Sequence, residues 1–419
     1  MRFGTDGVRG TAGEEPITVE GGLLVGRAAA LLADHERVAV GRDPRASSSA
    51  LAASVLAGVA AQGGQAVDLG VVPTSAVGVY LAEGLAAAGV MITASHNPAP
   101  DNGFKVLDAG GRKLSGERAS QVEGWLAAPP AATAFGTVEP GEALHLWRCR
   151  AEAVLPPLPE QSLVVDLANG ASTVLAGWLR QIWPGPLHVV GSGGVPNQGV
   201  GSEHLGHLGE AVRSHGAWAG LAVDGDGDRC RLVGPDGEAI PGDAVTWWLA
   251  RSMGVPAVAV TVMSNGALEA QLPGVDVVRT PVGDKHIAAA MRREGLALGA
   301  EESGHVLFAD FPAGDGIVAG LRALAAIGTA SLPQTVGQFR PLPRRLGKLR
   351  VGSRPPLDEV AALREPQADW SKRLGTGGRV FLRYSGTEPV LRILVEGGDV
   401  GVVQQVYGEV EAIAREALP

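Results

Sequence analysis

The chain has 419 residues, a length that accommodates three or four domains, and 45% of them are hydrophobic but only 4% aromatic, with 61 glycines. That balance suits α/β layers whose cores are built from Ala, Val and Leu and whose loops are tight. A formal net charge of −9 argues against nucleic acid as a partner, so an anionic ligand would have to be met by local cations. The first residues, Met1-Arg2-Phe3-Gly4-Thr5-Asp6, carry no apolar run, so no signal peptide is expected. No run approaches about 20 apolar residues, so no membrane span is expected. Cys149 and Cys230 lie far apart and near no His cluster, which reads as two reduced thiols in a cytoplasmic protein.

Along the first two thirds one pattern repeats: a short apolar run, a polar Gly-rich loop, then an Ala-rich helical stretch. The runs are Val38-Ala39-Val40-Gly41-Arg42-Asp43, then Gly89-Val90-Met91-Ile92-Thr93-Ala94-Ser95, Leu163-Val164-Val165-Asp166 and Leu221-Ala222-Val223-Asp224. Ala257-Val258-Ala259-Val260-Thr261-Val262 and Leu298-Gly299-Ala300-Glu301 follow. Apolar on both faces and separated by helices, they read as strands of mostly parallel sheets. Ligands of such sheets gather beyond the carboxyl ends of strands, where Ser95, Asp224 and Glu301 would stand.

Pro-rich residues 127–140 and 155–160 bracket a helical stretch at residues 142–154, and residues 332–356 read as a linker. Beyond it, short strands at residues 379–383 and 391–395 and an amphipathic helix over 402–418 make a small α+β domain of roughly 75 residues. The boundaries expected are 1–150, 151–252, 253–340 and 345–419.

Four loops carry chemistry. Ser95 sits in Thr93-Ala94-Ser95-His96-Asn97-Pro98, with Lys105 ten residues on. A serine nucleophile needs a base or cation nearby, and a phosphoserine needs cations. The residues two before and two after Ser95 are Thr93 and Asn97, not the glycines of a hydrolase elbow, so acyl transfer is disfavoured. Gly191-Ser192-Gly193-Gly194-Val195-Pro196 does not complete a dinucleotide-binding loop, because Pro196 stands where the last Gly belongs.

The run Asp224-Gly225-Asp226-Gly227-Asp228-Arg229 packs three carboxylates together, and like charges that close call for a cation. Oxygen-only ligands favour magnesium, manganese or calcium. An EF-hand fails, since its sixth and twelfth positions would hold Arg229 and Pro235. Two alternatives stay open: a solvated acidic turn, and an Asp nucleophile of a phosphatase, although that class has Thr or Val where Asp228 stands. Glu301-Glu302-Ser303-Gly304-His305 suits sugar hydroxyls, or is simply an acidic helix start. Arg383-Tyr384-Ser385-Gly386-Thr387-Glu388-Pro389 suits a phosphate dianion, or is an ordinary turn.

Together with Phe3-Gly4-Thr5-Asp6-Gly7-Val8-Arg9-Gly10, these loops resemble, in order and over essentially the whole chain, the motifs of the α-D-phosphohexomutases. The resemblance implies three related α/β domains with mixed or parallel sheets and a smaller C-terminal α+β domain around a central cleft. It implies that Ser95 carries a phosphoryl group, that Asp224, Asp226 and Asp228 with Ser95 hold one Mg²⁺, and that Arg9, His96 and Lys105 assist catalysis. It assigns substrate contacts to Arg229, Glu301, Ser303, His305, Arg383, Ser385, Gly386 and Thr387. The substrate would be a hexose phosphate, with glucosamine or glucose 1,6-bisphosphate as intermediate or activator; a homodimer stays open. Within the family the motifs are most similar to a bacterial amino-sugar branch, for which Glu302 replaces the usual Gln and Ala300 a common Gly. A phosphomannomutase/phosphoglucomutase is the alternative, and further off stand a metal-dependent sugar phosphatase and a binding protein that has lost catalysis.

Overall fold

The computed structural model describes residues 1, 7–114, 116–132, 134–385 and 389–418. The expectations for Phe3, Gly4, Thr5, Asp6, Gly386 and Thr387 lie outside those residues. The chain forms two compact units, the first built from residues 1–263 and 278–337, the second from 264–277 and 338–419.

The first unit holds three mixed sheets. One contains β1 (Val8–Thr11), β2 (Arg37–Arg42), β3 (Gln65–Val71), β4 (Ala88–Ile92), β5 (Asp101–Asp108) and β6 (Thr137–Pro140), in the order β1-β5-β4-β2-β3-β6. Its centre is parallel, with β2 between β3 and β4, and β5 and β1 turn back antiparallel at one edge. Every residue of β4 is buried, because helices cover both faces and leave no solvated side. The helices Val19–Leu32 and Ser48–Ala61 pack against each other closely: a Cβ on Gly26 would stand 2.0 Å from Val55 O. Glycine and alanine are thus what allow the two backbones to approach.

The second sheet runs β10 (Cys230–Val233), β9 (Ala219–Val223), β7 (Leu163–Asp166), β8 (Leu187–Val190), and the third β12 (Asp276–Thr280), β11 (Ala257–Thr261), β13 (Leu298–Ala300), β14 (Val306–Phe308). Each again has parallel central pairs, β7 with β8 and β9, β11 with β13, and an antiparallel edge, β10 on β9 and β14 on β13. The antiparallel strands are the elements that apolar runs alone do not reveal. Asp101–Asp108, for one, is polar at both ends and pairs with β4 so that Lys105 faces Met91 in register.

The second unit is an antiparallel sheet, β15 (Arg344–Arg350), β17 (Val390–Glu396), β16 (Arg379–Tyr384), covered by the helix Val400–Ala417. Its core joins Leu349, Trp370, Leu391, Ile393, Val395, Val406 and Val410. Residues 264–277 belong to this unit, the boundary falling within strand β12 after Val277. Gly266 N donates to Glu396 Oε1 at 3.0 Å, and Arg379 holds the same carboxylate through Nε at 2.6 Å and Ser264 O through Nη2 at 2.8 Å.

One sequence reading is corrected. Residues 332–356 are not a continuous linker: they contain the short helix Leu332–Val336 and strand β15. Pro333 sits in the first turn of that helix, and the other prolines flank the strand and do not interrupt it, Pro341 and Pro343 before and Pro355 and Pro356 after. Residues 127–140 likewise end in β6, an edge strand that tolerates Pro140 at its last position. Among the described residues no helix is long and apolar enough to cross a membrane.

Candidate active site

Three loops of the first unit meet where strands end. Ser95 follows β4 and is fully buried, with φ +53°, a left-handed conformation that residues with a Cβ adopt only under external constraint. Its Oγ donates to Asp224 Oδ2 at 2.5 Å and lies 3.3 Å from His96 Nδ1. Its amide donates to Thr93 Oγ1 at 2.9 Å, and that hydroxyl donates to Asp43 Oδ2 at 2.8 Å.

The acidic loop joins β9 to the antiparallel β10, and its glycines bring it against neighbouring backbone. A Cβ on Gly225 would stand 2.5 Å from Ser95 O and 2.8 Å from Asn197 Nδ2. All three aspartates are buried, with a ligand atom of each within 4.8 Å of the others. Burial and the Asp228 and Asp226 charges push the Asp224 carboxyl well above the ordinary carboxylate range. Asp228 is held well below it: burial opposes, but Lys105, His305, Lys113 and Arg229 together win.

Lys105 on β5 enters this loop with its Nζ 2.6 Å from Asp226 Oδ2 and 2.9 Å from Asp228 Oδ2, almost fully buried. Both of these contacts are to carboxylates. Thr74 Oγ1 also donates to Asp226 Oδ2, at 2.5 Å. Asp226 Oδ1 and Asp228 Oδ1 are buried and have no hydrogen-bond partner among the described residues. Orphaned carboxylate oxygens in an all-oxygen set are what a hard divalent cation takes as ligands. The three aspartates fit such an ion, and the solvated acidic turn is excluded by their burial.

Arg229 closes the loop: its amide donates to Asp224 Oδ1 at 3.2 Å, and it forms an antiparallel bridge with His305. That bridge brings in the third loop. Cys230 N donates to Gly304 O at 2.9 Å, Glu301 N donates to His305 O at 2.8 Å, and Glu301 Oε1 accepts from Gly283 N at 3.0 Å. Ser303 lies in the same turn, half-buried. Arg9 on β1 reaches Asn97 Oδ1 at 3.3 Å through Nη1. His96 is depressed below the ordinary imidazole value, first by burial and then by the Arg229 and Arg9 charges, so it stands neutral at neutral pH and able to accept a proton.

Ser95, His96, Lys105, Arg9, the three aspartates, Arg229, Glu301, Ser303 and His305 are thus held by contiguous elements of one unit. Arg383 and Ser385 belong to the second unit, at the end of β16. Burial and neighbouring Arg392 lower the Arg383 guanidinium, and Ser385 is buried with its amide on Val390 O at 2.8 Å. Sequence reasoning missed Asp43, Arg45, Thr74, Lys113, Asn197 and Asp284. Lys113 Nζ lies 2.8 Å from Asp284 Oδ2 and 3.7 Å from Asp228 Oδ2. The available signal was weak: charged residues directly after a buried strand, as in Arg42-Asp43-Pro44-Arg45.

Comparison with known proteins agrees with this layout. Family models described as phosphoglucomutase/phosphomannomutase match the chain at residues 1–129 (alpha/beta/alpha domain I), 241–341 (alpha/beta/alpha domain III) and 346–413 (C-terminal domain). The chain belongs to the phosphoglucomutase/phosphomannomutase family, the α-D-phosphohexomutases, which are enzymes. A relative from Frankia casuarinae named phosphoglucosamine mutase is 38% identical over 100% of this chain and 98% of its own length. Among solved structures, a phosphoglucomutase/phosphomannomutase family protein from Burkholderia thailandensis superposes with a TM-score of 0.84 at 22% identity, covering 99% of this chain and 97% of that one. An N-acetylphosphoglucosamine mutase from Aspergillus fumigatus, in complex with GlcNAc-6P and magnesium, gives 0.62 at 20% identity, covering 83% and 93%. These two likenesses concern the fold.

Proposed function

We propose that the chain is a phosphoglucosamine mutase, interconverting glucosamine 6-phosphate and glucosamine 1-phosphate. The observation that carries the reading is Ser95 Oγ hydrogen-bonded to Asp224 inside a buried acidic loop. The full-length likeness to enzymes of that name supports the sugar. Phospho-Ser95 passes its phosphoryl group to O1 of glucosamine 6-phosphate, which yields the 1,6-bisphosphate and a free Ser95 hydroxyl. The 6-phosphoryl group then transfers to Ser95 Oγ, releasing glucosamine 1-phosphate.

The chain's own residues divide the work. His96, neutral and 3.3 Å from Ser95 Oγ, takes over the hydroxyl proton as Ser95 is rephosphorylated and returns it to the sugar oxygen that loses its phosphoryl group. Lys105, Lys113 and Arg229 offset the negative charge that a phosphoryl group adds beside three carboxylates. Glu301, Ser303 and His305 bind sugar hydroxyls. Arg383 and Ser385 are kept as phosphate contacts on their chemistry alone, a guanidinium and a hydroxyl. Asp224, Asp226 and Asp228 would hold Mg²⁺ together with a phosphoserine oxygen, and the ion would neutralise charge on the transferring group. We read the four sheets as four domains with the boundaries 1–150, 151–252, 253–340 and 345–419, in a protein that works in the cytoplasm.

The test is isomerisation of glucosamine 6-phosphate with magnesium and a 1,6-bisphosphate primer, beside glucose and mannose phosphates, and the intact mass of the enzyme. One added phosphate that disappears in Ser95→Ala, with glucosamine preferred, supports the proposal. Glu302 at the usual Gln position favours the second reading, a phosphomannomutase/phosphoglucomutase, and faster turnover of mannose 1-phosphate would establish it. Steady release of inorganic phosphate without isomer would mean a phosphatase.

A further inference from the structure

The carbonyl groups of Ser95 and Asn97 are each gripped from two sides. Arg45 Nη2 donates to Ser95 O at 2.9 Å and to Asn97 O at 2.8 Å. Asn197 Nδ2 donates to the same two oxygens, at 2.7 and 3.0 Å. Both side chains are buried, Arg45 at 2% and Asn197 at 7% exposure.

The two jaws have different anchors. Arg45 follows β2 in the first sheet, and its remaining donors are occupied: Nε on Asp43 Oδ2 at 2.9 Å, Nη1 on Pro98 O at 2.6 Å and Asp101 O at 2.9 Å. A guanidinium bonded through every N–H group in a planar fork cannot swing. Asn197 follows β8 in the second sheet, and its amide donates to Ala168 O at 2.9 Å. The same framework carries the acidic loop, since Ala171 N donates to Gly225 O at 2.8 Å and Ser202 N to Val223 O at 2.9 Å.

We infer that Asn197, acting against Arg45, is a positioning residue that registers the Ser95 loop on the aspartate loop. The clamp sets where Ser95 Oγ stands relative to Asp224. It acts on backbone carbonyls and so leaves the serine side chain free for chemistry. It also supplies the constraint that the left-handed Ser95 backbone requires, because each carbonyl is held by two buried donors. Phosphoryl transfer depends on such alignment more than on any covalent help from the protein. The inference rests on the reading of Ser95 as the phosphoryl carrier.

The experiment compares the full-length enzyme with Asn197→Asp, which keeps the shape but removes both donors, Asn197→Ala, and Arg45→Lys, which keeps the charge but loses the fork. Hydrogen exchange of residues 95–101 is measured beside that of β9, together with kcat and KM for glucosamine 6-phosphate and the rate of phosphoryl uptake by mass. In the Asn197 variants, exchange in 95–101 should rise while β9 stays protected. Both kcat and phosphoryl uptake should fall by about ten-fold or more, with KM within about two-fold, since the loss is of alignment and not of substrate contact. Arg45→Lys should follow the same pattern. Unchanged exchange in 95–101, or a kcat within about two-fold of wild type, overturns the inference, as does a raised KM at constant kcat. If the wild-type enzyme does not isomerise sugar phosphates, the functional proposal falls, and the exchange measurement alone still decides whether the clamp holds the loop.

Discussion

Replacing Lys105 by Met tests the electrostatics of the acidic loop directly. Lys105 and its partners Asp226 and Asp228 are at most 3% exposed, and Nζ makes contacts of 2.6 and 2.9 Å. Methionine keeps the stem, so little cavity opens, and the loss is of charge. Removing one partner of a buried ion pair costs about 3–5 kcal/mol because the other is left uncompensated. At about 2 °C per kcal/mol for a large unit, the thermal midpoint in chelator should fall by roughly 6–10 °C. A divalent cation meets the same two carboxylates, so it should bind Lys105→Met more tightly than wild type and restore part of the loss. Calorimetry in chelator and across a magnesium titration measures both effects. A fall under about 2 °C in chelator would refute the argument, as would a magnesium-induced rise no larger than that of wild type.

Other outcomes follow from the same geometry. Gly225→Ala forces a Cβ to within 2.5 Å of Ser95 O; an overpacking cost of about 1–3 kcal/mol is expected, with a disproportionate fall in kcat, and wild-type kcat would show that the two loops tolerate separation. Asp315 is buried and caps the helix Gly316–Ile327 while accepting from Trp147 Nε1 at 2.8 Å and from Ser75. Burial raises its carboxyl above the ordinary range. Its contribution to stability is therefore complete below the unfolded value of about 3.9 and is lost as pH rises through the raised folded value. Thermal midpoints of wild type and Asp315→Asn should diverge with pH only in that window, to the disadvantage of wild type as pH rises; parallel curves would count against it. Burial pushes the Cys230 thiol up to about 12 while Cys149 is exposed, so a thiol reagent should modify Cys149 alone until the protein is denatured.

Much of the site was legible because the chemistry lies in short runs. The aspartates, Ser95 and Glu301 each stand directly after an apolar strand, and parallel-sheet topology puts strand ends together. What escaped was long-range. The partners of Lys105 were hidden because Asp101–Asp108 is too polar to announce a strand, and they are 121 and 123 residues away. Arg45 and Asn197 act on carbonyl oxygens, which every residue has, so no side-chain pattern marks their targets. The prolines of residues 332–356 pointed to a linker because composition cannot tell prolines that flank a strand from prolines that break one.

The excursion of residues 264–277 into the second unit bears on how this chain can be cut and recombined. Ending the polypeptide at Gly337 would remove Glu396 and Arg379, the partners of Gly266 N and Ser264 O, and strand a segment in the middle of what remains. Lifting off residues 338–419 alone would leave Gly266 N and Ser264 O without the partners they have here. An exchange between relatives keeps those bonds when it carries residues 264–277, a fourteen-residue segment embedded within the other unit's sequence, together with residues 338–419.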